Sequence, residues 1–172
     1  GNDLGKSKVK IAKKKLKNIN SGTKVNIFNF KLDKKNFKKI IKNYDYVVDG
    51  TDNFTAKFLI NDLSLKYKKF LVTGAISKFD GHIFTFNFND KKKPCLRCFY
   101  QEETISDDIL NCEYEGILGT VAGIIGAMQA NEVLKKILNI GKSLNGFILI
   151  VDLLNLSFRK VKLNKRKKCK CC

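Results

Sequence analysis

Tyr46-Val47-Val48-Asp49-Gly50-Thr51-Asp52-Asn53 decides the architecture: a compact apolar run breaks off into a polar turn containing glycine. A run of that length bounded by turn residues predicts a short buried strand feeding a loop. Upstream, Asp33 has the chemistry of an N-cap for a helix running through Ile41. Downstream, the pattern predicts a helix over about Phe54 to Lys66 and then a strand from Phe70 to Thr73. Strands that alternate with helices pair in parallel through right-handed crossovers, and ligands bind such sheets beyond the carboxyl ends of the strands. The turn Thr51-Asp52-Asn53 lies at such an end.

Further out, Lys6 to Asn18 carries Val9, Ile11, Ala12 and Leu16 at roughly helical spacing, and Asn20-Ser21-Gly22 ends it. Val25 and Ile27 then alternate with Lys24 and Asn26, which predicts a strand. After Gly74 the character changes. Gly81 to Phe88 alternates His82, Phe84, Phe86 and Phe88 with Ile83, Thr85 and Asn87, with no helix before it, so antiparallel pairing is expected here. Asp90 to Glu115 is a long polar loop bearing cysteines, of a kind usually functional or mobile. A helix from Ile117 to about Leu138 carries Gly119, Gly123, Gly126, Ala127 and Ala130 along one side, a spacing that permits close backbone contact. Strands over Phe147 to Asp152 and Leu156 to Leu163 precede a cysteine-rich tail. The fold class is therefore α/β with a mixed sheet, parallel in its first half and antiparallel in its second.

At 172 residues and 44% hydrophobic content the chain can bury one core. Gly1-Asn2-Asp3-Leu4 shows no targeting pattern. The longest apolar stretch, Ile117 to Ala130, is about 14 residues and too short to cross a bilayer, so a soluble cytoplasmic protein with no membrane partner is expected. The net charge of +18 points toward acidic partners, but only Arg97, Arg159 and Arg166 are arginines and the lysines are dispersed. Phosphate readers concentrate charge and favour arginine forks, so no specific nucleic-acid partner is expected. Together with the cysteines, the charge still leaves a zinc-containing basic nucleic-acid-binding module as a rival reading.

The six cysteines fall into Cys95-Leu96-Arg97-Cys98, a lone Cys112, and Cys169-Lys170-Cys171-Cys172. Two C-x-x-C turns supply four thiolates for a closed tetrahedral Zn²⁺ site, namely Cys95, Cys98, Cys169 and Cys172. The pairs stand about 70 residues apart, too far for a local ribbon, so the metal would staple the end of the chain to a mid-chain loop. Cys171 in place of Cys172 is the alternative fourth ligand. Asp52 either holds Mg²⁺ against a nucleotide's phosphates or merely caps the following helix as an Asx turn. His82, the only histidine, excludes Ser-His and Cys-His machinery and reads as structural on an aromatic strand face.

Gly5-x-x-Lys8-Val9, Asp49-Gly-Thr-Asp-Asn53 with Asn61, Gly74-Ala75 with Gly81 and Ile83, Pro94-Cys95-x-x-Cys98, Asn111-Cys112-x-x-x-Gly116, Gly119 with the helix from Gly126 to Lys135, and the terminal cysteine pair form one ordered set. It resembles the molybdopterin-synthase and thiamine sulfur-carrier adenylyltransferases, simpler relatives of ubiquitin-activating enzymes. The resemblance covers essentially the whole chain. It implies a Rossmann-like, zinc-stapled domain that binds ATP and Mg²⁺, works as a homodimer, and adenylates the terminal carboxylate of a ubiquitin-like sulfur-carrier protein. A sulfurtransferase or cysteine desulfurase would be the sulfur-supplying partner. By position, Lys8 contacts the phosphates, Asp52 and Asn53 hold nucleotide and metal, and Cys112 takes the carrier as a covalent acyl group. Cys112, in a polar stretch without a second cysteine at ligand spacing, is expected to be mobile and reactive.

The family's glycine-rich phosphate loop, ribose-binding acid and phosphate-binding arginine belong upstream of Gly1. The chain would then be the C-terminal two-thirds of one adenylating domain and inactive in isolation. Where the family usually has arginine, this chain has Lys57, which cannot make a bidentate fork. A fragment of a nicotinamide-dependent Rossmann oxidoreductase is the remaining rival, disfavoured by the cysteine pairs and the Asp52 turn.

Overall fold

The computed structural model describes residues 3–100 and 116–172, which fall into two compact units, Gly1–Leu32 and Asp33–Cys172. The first unit holds helix α1 (Lys8–Ile19), whose hydrophobic residues reach at most half-burial. Its C-terminal Asn20 accepts from the Gly22 amide through Oδ1 (3.0 Å), the local turn chemistry that stops the helix. The strand expected around Val25 and Ile27 is absent. The alternation survives, with both residues half-buried between exposed Lys24 and Asn26, but no ladder pairs the segment among the described residues. A strand exists only through its partner's hydrogen bonds, and periodicity alone cannot supply one.

The second unit begins with α2 (Lys34–Ile40), capped as expected: the Asp33 carboxylate accepts from the Lys35 and Asn36 amides, and the Asp33 amide donates to Asn36 Oδ1. A 3₁₀ turn, Ile41–Asn43, leads to β1 (Tyr46–Asp49), then α3 (Phe54–Lys66), β2 (Phe70–Ser77), β3 (Asp80–Asn87), the short α4 (Leu96–Phe99), α5 (Gly119–Leu138), β4 (Phe147–Asp152) and β5 (Ser157–Lys162). One sheet takes these strands in the order β1-β2-β3-β4-β5. The β1–β2 pair is parallel, as the α3 crossover demands, and every later pair is antiparallel. The mixed α/β class is thus observed, with β2 running on past Thr73 through Gly74 to Ser77. β1 is less buried than expected. It is an edge strand among the described residues, and Val48 is 53% exposed.

Helices cover both faces of the sheet centre. Val72 and Ile83 pack with Val121 and Ile125 of α5 in one apolar cluster. Their neighbours Thr73 and Phe84, paired across β2 and β3, point to the other face, as the strand period requires. There Phe84 meets the rings of Phe99 and Tyr100, at 5.3 and 5.8 Å between centroids. This two-sided burial explains why Ile83, Phe84, Thr85 and Phe86 are all buried in succession. Among the described residues, the glycines along one side of α5 make no close contact: a Cβ added at Gly119, Gly123 or Gly126 would meet nothing within 4 Å. Among the described residues, no helix is long and apolar enough to cross a membrane.

Candidate functional site

The carboxyl end of β1 opens on a cavity of about 260 Å³ walled by Gly50, Thr51, Asp52 and Lys57, by Gly74 to Ile76 of β2, and by α5 residues including Ala122, Gly126 and Gln129. Asp49 closes the strand and is the hub of the turn. Buried to 1% exposure, its carboxylate accepts from the Thr51 amide (2.9 Å) and hydroxyl (2.7 Å), from the Thr73 hydroxyl, and from Lys57 Nζ (3.2 Å). A buried carboxylate persists only when paired and hydrogen-bonded in this way. Lys57 also donates to the Gly74 carbonyl, and the Gln129 side-chain amide donates to the Asp49 carbonyl at 2.8 Å.

Asp52 is exposed on this turn and lines the cavity. It is not the helix cap. Asn53 is: its Oδ1 accepts from the Ala56 amide at 2.8 Å, while its Nδ2 donates to Asp52 Oδ1 at 3.0 Å. The two readings of Asp52 left open by the sequence are thus separated, with the cap passing to Asn53 and the carboxylate left at the cavity. Lys8 belongs to the other compact unit, exposed on the first turn of α1. Cys112 lies outside the described residues, so neither its mobility nor its role is addressed by the structure.

At the far end of α3 the two cysteine pairs come together. The sulfurs of Cys95, Cys98, Cys169 and Cys172 all lie within 4.8 Å of one another, with Cys95 to Cys169 at 3.7 Å and Cys98 to Cys172 at 3.4 Å. A tetrahedral Zn²⁺ with Zn–S bonds of about 2.3 Å places its sulfurs about 3.8 Å apart, so the donor set fits such an ion. Hydrogen bonding to Cys171 and burial push the Cys95 thiol up, and burial does the same to Cys98 and Cys172. Burial acts upward on Cys169 too, but hydrogen bonds from the Cys171 and Cys172 backbone outweigh it and bring that thiol to about 7. A divalent cation is what allows all four to ionise side by side. Cys171 stands outside the four and donates to Asp62 Oδ1 at 3.1 Å.

Asn61 and Asp62 of α3 hold this centre. Asn61, fully buried, accepts from the Leu96 amide at 3.0 Å, and Asp62 takes both arms of Arg97 at 2.8 Å. Burial works to raise the Asp62 carboxyl, but hydrogen bonds from Arg97, Cys171 and Asn61 together hold it below the usual range. Asn61 was legible only as a motif residue; its bond to the cysteine turn shows what it does. Thr73 and Gln129 carried no signal of their own, because Asp49, the partner of both, lies 24 and 80 residues away in sequence.

His82 sits on β3 beside Asp80 with Nδ1 3.4 Å from the Tyr100 hydroxyl. Burial lowers its pKa, opposed by the Asp80 charge, and burial pushes Tyr100 up to about 12. Both belong to the wall of a second cavity of about 290 Å³.

The model of the ThiF family matches residues 1–171. A sulfur carrier protein adenylyltransferase of Thermus thermophilus is 34% identical over 99% of this chain and 64% of its own length. A probable molybdopterin-synthase adenylyltransferase of Porphyra purpurea is 41% identical over 94% of this chain and 42% of its own. The chain therefore spans less than two thirds of these relatives. Among solved structures, E. coli MccB with ATP superposes with a TM-score of 0.80 over 99% of this chain and 52% of that one, at 17% identity, a likeness of fold.

Proposed function

Because the chain belongs to the ThiF family, we propose that it supplies the metal-binding turn and the structural zinc centre of an ATP-dependent adenylyltransferase acting on a ubiquitin-like sulfur-carrier protein. The observation that carries this reading is the cavity at the end of β1, where a carboxylate is presented on a turn pinned at both sides, at the position where open α/β sheets bind ligands. The carrier's terminal carboxylate attacks the α-phosphorus of ATP, the bond to the bridging oxygen breaks, pyrophosphate leaves, and an acyl-adenylate forms. No protein nucleophile is required. Positioning and charge neutralisation supply the rate.

Asp52, an exposed hard-oxygen donor, fits Mg²⁺, which takes one or two carboxylates and keeps several waters. When bound, that ion neutralises charge on the phosphates. Asn53 contributes by orienting Asp52 and starting α3, since its side chain is committed to those two bonds. The phosphate contact of Lys8 rests on the family resemblance alone. Cys112 acts after adenylation: its thiolate attacks the acyl carbonyl and AMP leaves. Zn²⁺ in Cys95, Cys98, Cys169 and Cys172 ties the tail to α4 and takes no part in the chemistry. The homodimer and the sulfur-supplying partner rest on the family resemblance alone.

The test is carrier-dependent exchange of labelled pyrophosphate into ATP, measured with the natural full-length protein. Asp52→Ala should lower exchange by about 100-fold or more with zinc content unchanged. Cys112→Ser should leave exchange intact while abolishing any covalent carrier adduct. Exchange that survives Asp52→Ala removes Asp52 from the mechanism, and a natural protein without exchange refutes adenylation.

A further inference from the structure

Resting on the adenylation reading, we infer that Lys57 is the positioning residue of the site: its buried ammonium locks the end of β1 to β2 and thereby fixes where Asp52 stands. Lys57 and Asp49 are 2% and 1% exposed, so this is a desolvated ion pair and not a surface contact. The Lys57 ammonium reaches from the first turns of α3 to Asp49 Oδ2 at 3.2 Å and to the Gly74 carbonyl at 2.5 Å. Three elements meet at one nitrogen.

The chemistry of the partners suits a cation there. A carboxylate and a carbonyl are both acceptors, an ammonium has three donors and no acceptor to join them, and its charge balances the buried carboxylate. A compact ammonium meets two differently directed acceptors from one point. Asp49, thus neutralised, can take the Thr51 amide and hydroxyl on its other oxygen, which fixes the chain immediately before Asp52. The Asn53 cap fixes it immediately after. Asp52 itself touches neither Lys57 nor Asp49 in the hydrogen-bond pattern, so Lys57 acts on it through the turn. The departure from the family's usual arginine is accommodated by this bridging geometry, in which no bidentate fork is needed.

The experiment compares the natural full-length protein with Lys57→Met and Lys57→Arg by amide hydrogen exchange and by pyrophosphate exchange over a Mg²⁺ series. Lys57→Met should speed amide exchange across residues 50–53 and raise the Mg²⁺ concentration for half-maximal rate about tenfold or more, since small displacements of a charge-holding group are costly. The KM for the carrier and the zinc content should stay put. Lys57→Arg, which keeps the charge and the donors, should restore both readouts to near the natural values. A purely structural role would lower the melting point without moving the Mg²⁺ dependence, and that result would overturn the inference, as would an arginine variant indistinguishable from methionine. If Lys57→Met does not accumulate as folded protein, Thr51→Val decides: it removes one hydroxyl donor to Asp49 and must shift the same two readouts in the same direction, and unchanged readouts overturn the inference. Should the natural protein show no pyrophosphate exchange at all, adenylation fails, while the amide-exchange comparison still judges the lock.

Discussion

The sequence offers Asp52 as either a metal-holding carboxylate or the helix cap, although Asn53 is chemically as able to fill the cap. The structure gives it to Asn53 and frees the carboxylate for the cavity. Lys57 was harder to read, because Asp49 and Gly74, the groups that define its role, are brought to it by the crossover and not by the local chain. His82 was read as structural, and its setting yields a measurable consequence. Its pKa is lowered by burial in spite of Asp80, so between that lowered value and about 6.5 the unfolded chain binds the proton more readily than the fold does. The stability is therefore present above about pH 6.5 and is lost as pH falls through the folded value. His82→Gln keeps a polar group beside Tyr100 without a titration. On thermal or urea unfolding, the natural protein should lose more stability than this variant between about pH 7.5 and 5.5. Parallel curves would mean that His82 charges freely in the fold.

Among the elements, α3 and the β2–β3 pair were legible because their residues carry the information locally: a polar turn followed by apolar residues in one, two runs of strand formers with no intervening helix in the other. The segment at Val25 and Ile27 has the same local signal and no ladder among the described residues, since pairing is a property of two segments. The meeting of β2 with α5 at Gly74 was invisible for a similar reason. A Cβ at Gly74 would stand 2.8 Å from Cδ and Oε1 of Gln129, inside contact distance. Gly74→Ala should displace that amide from the Asp49 carbonyl, where it now donates at 2.8 Å. The cost should be about 1–3 kcal/mol by urea unfolding, from overpacking and a lost buried hydrogen bond. The end of α3 should loosen less than the end of β1 in amide exchange. A neutral substitution would show that Gln129 has room to move and is not part of the clamp.

At the scale of the molecule, the charge of +18 says little about mechanism: the lysines are spread over both units, and family membership accounts for the fold without a nucleic-acid partner. The cysteine pairs say much more, because spacing fixes what two C-x-x-C turns can bind and places the staple between the tail and a mid-chain loop, though not what anchors that loop. The structure supplies the anchor. Asn61 and Asp62 of α3 grip α4, so the cysteine cluster joins the tail to the helix that starts at the Asp52 turn. Cys171 donates to Asp62 and also hydrogen-bonds Cys95, while the four sulfurs that all lie within 4.8 Å of one another are those of Cys95, Cys98, Cys169 and Cys172. Cys171→Ser should therefore keep one zinc per chain by metal analysis of protein prepared without added zinc. Cys95→Ser and Cys172→Ser should each lose it. Because a structural zinc contributes its binding energy to the fold, loss should lower Tm by about 10 °C or more, each kcal/mol being worth about 2–4 °C for a domain of this size. Pyrophosphate exchange should fall in proportion to the folded fraction, with the Mg²⁺ dependence unmoved, since the centre supports α3 without touching the reacting groups. Zinc retained by Cys172→Ser and lost by Cys171→Ser would exchange the two residues' roles, and unchanged stability in a zinc-free Cys95→Ser protein would refute the staple.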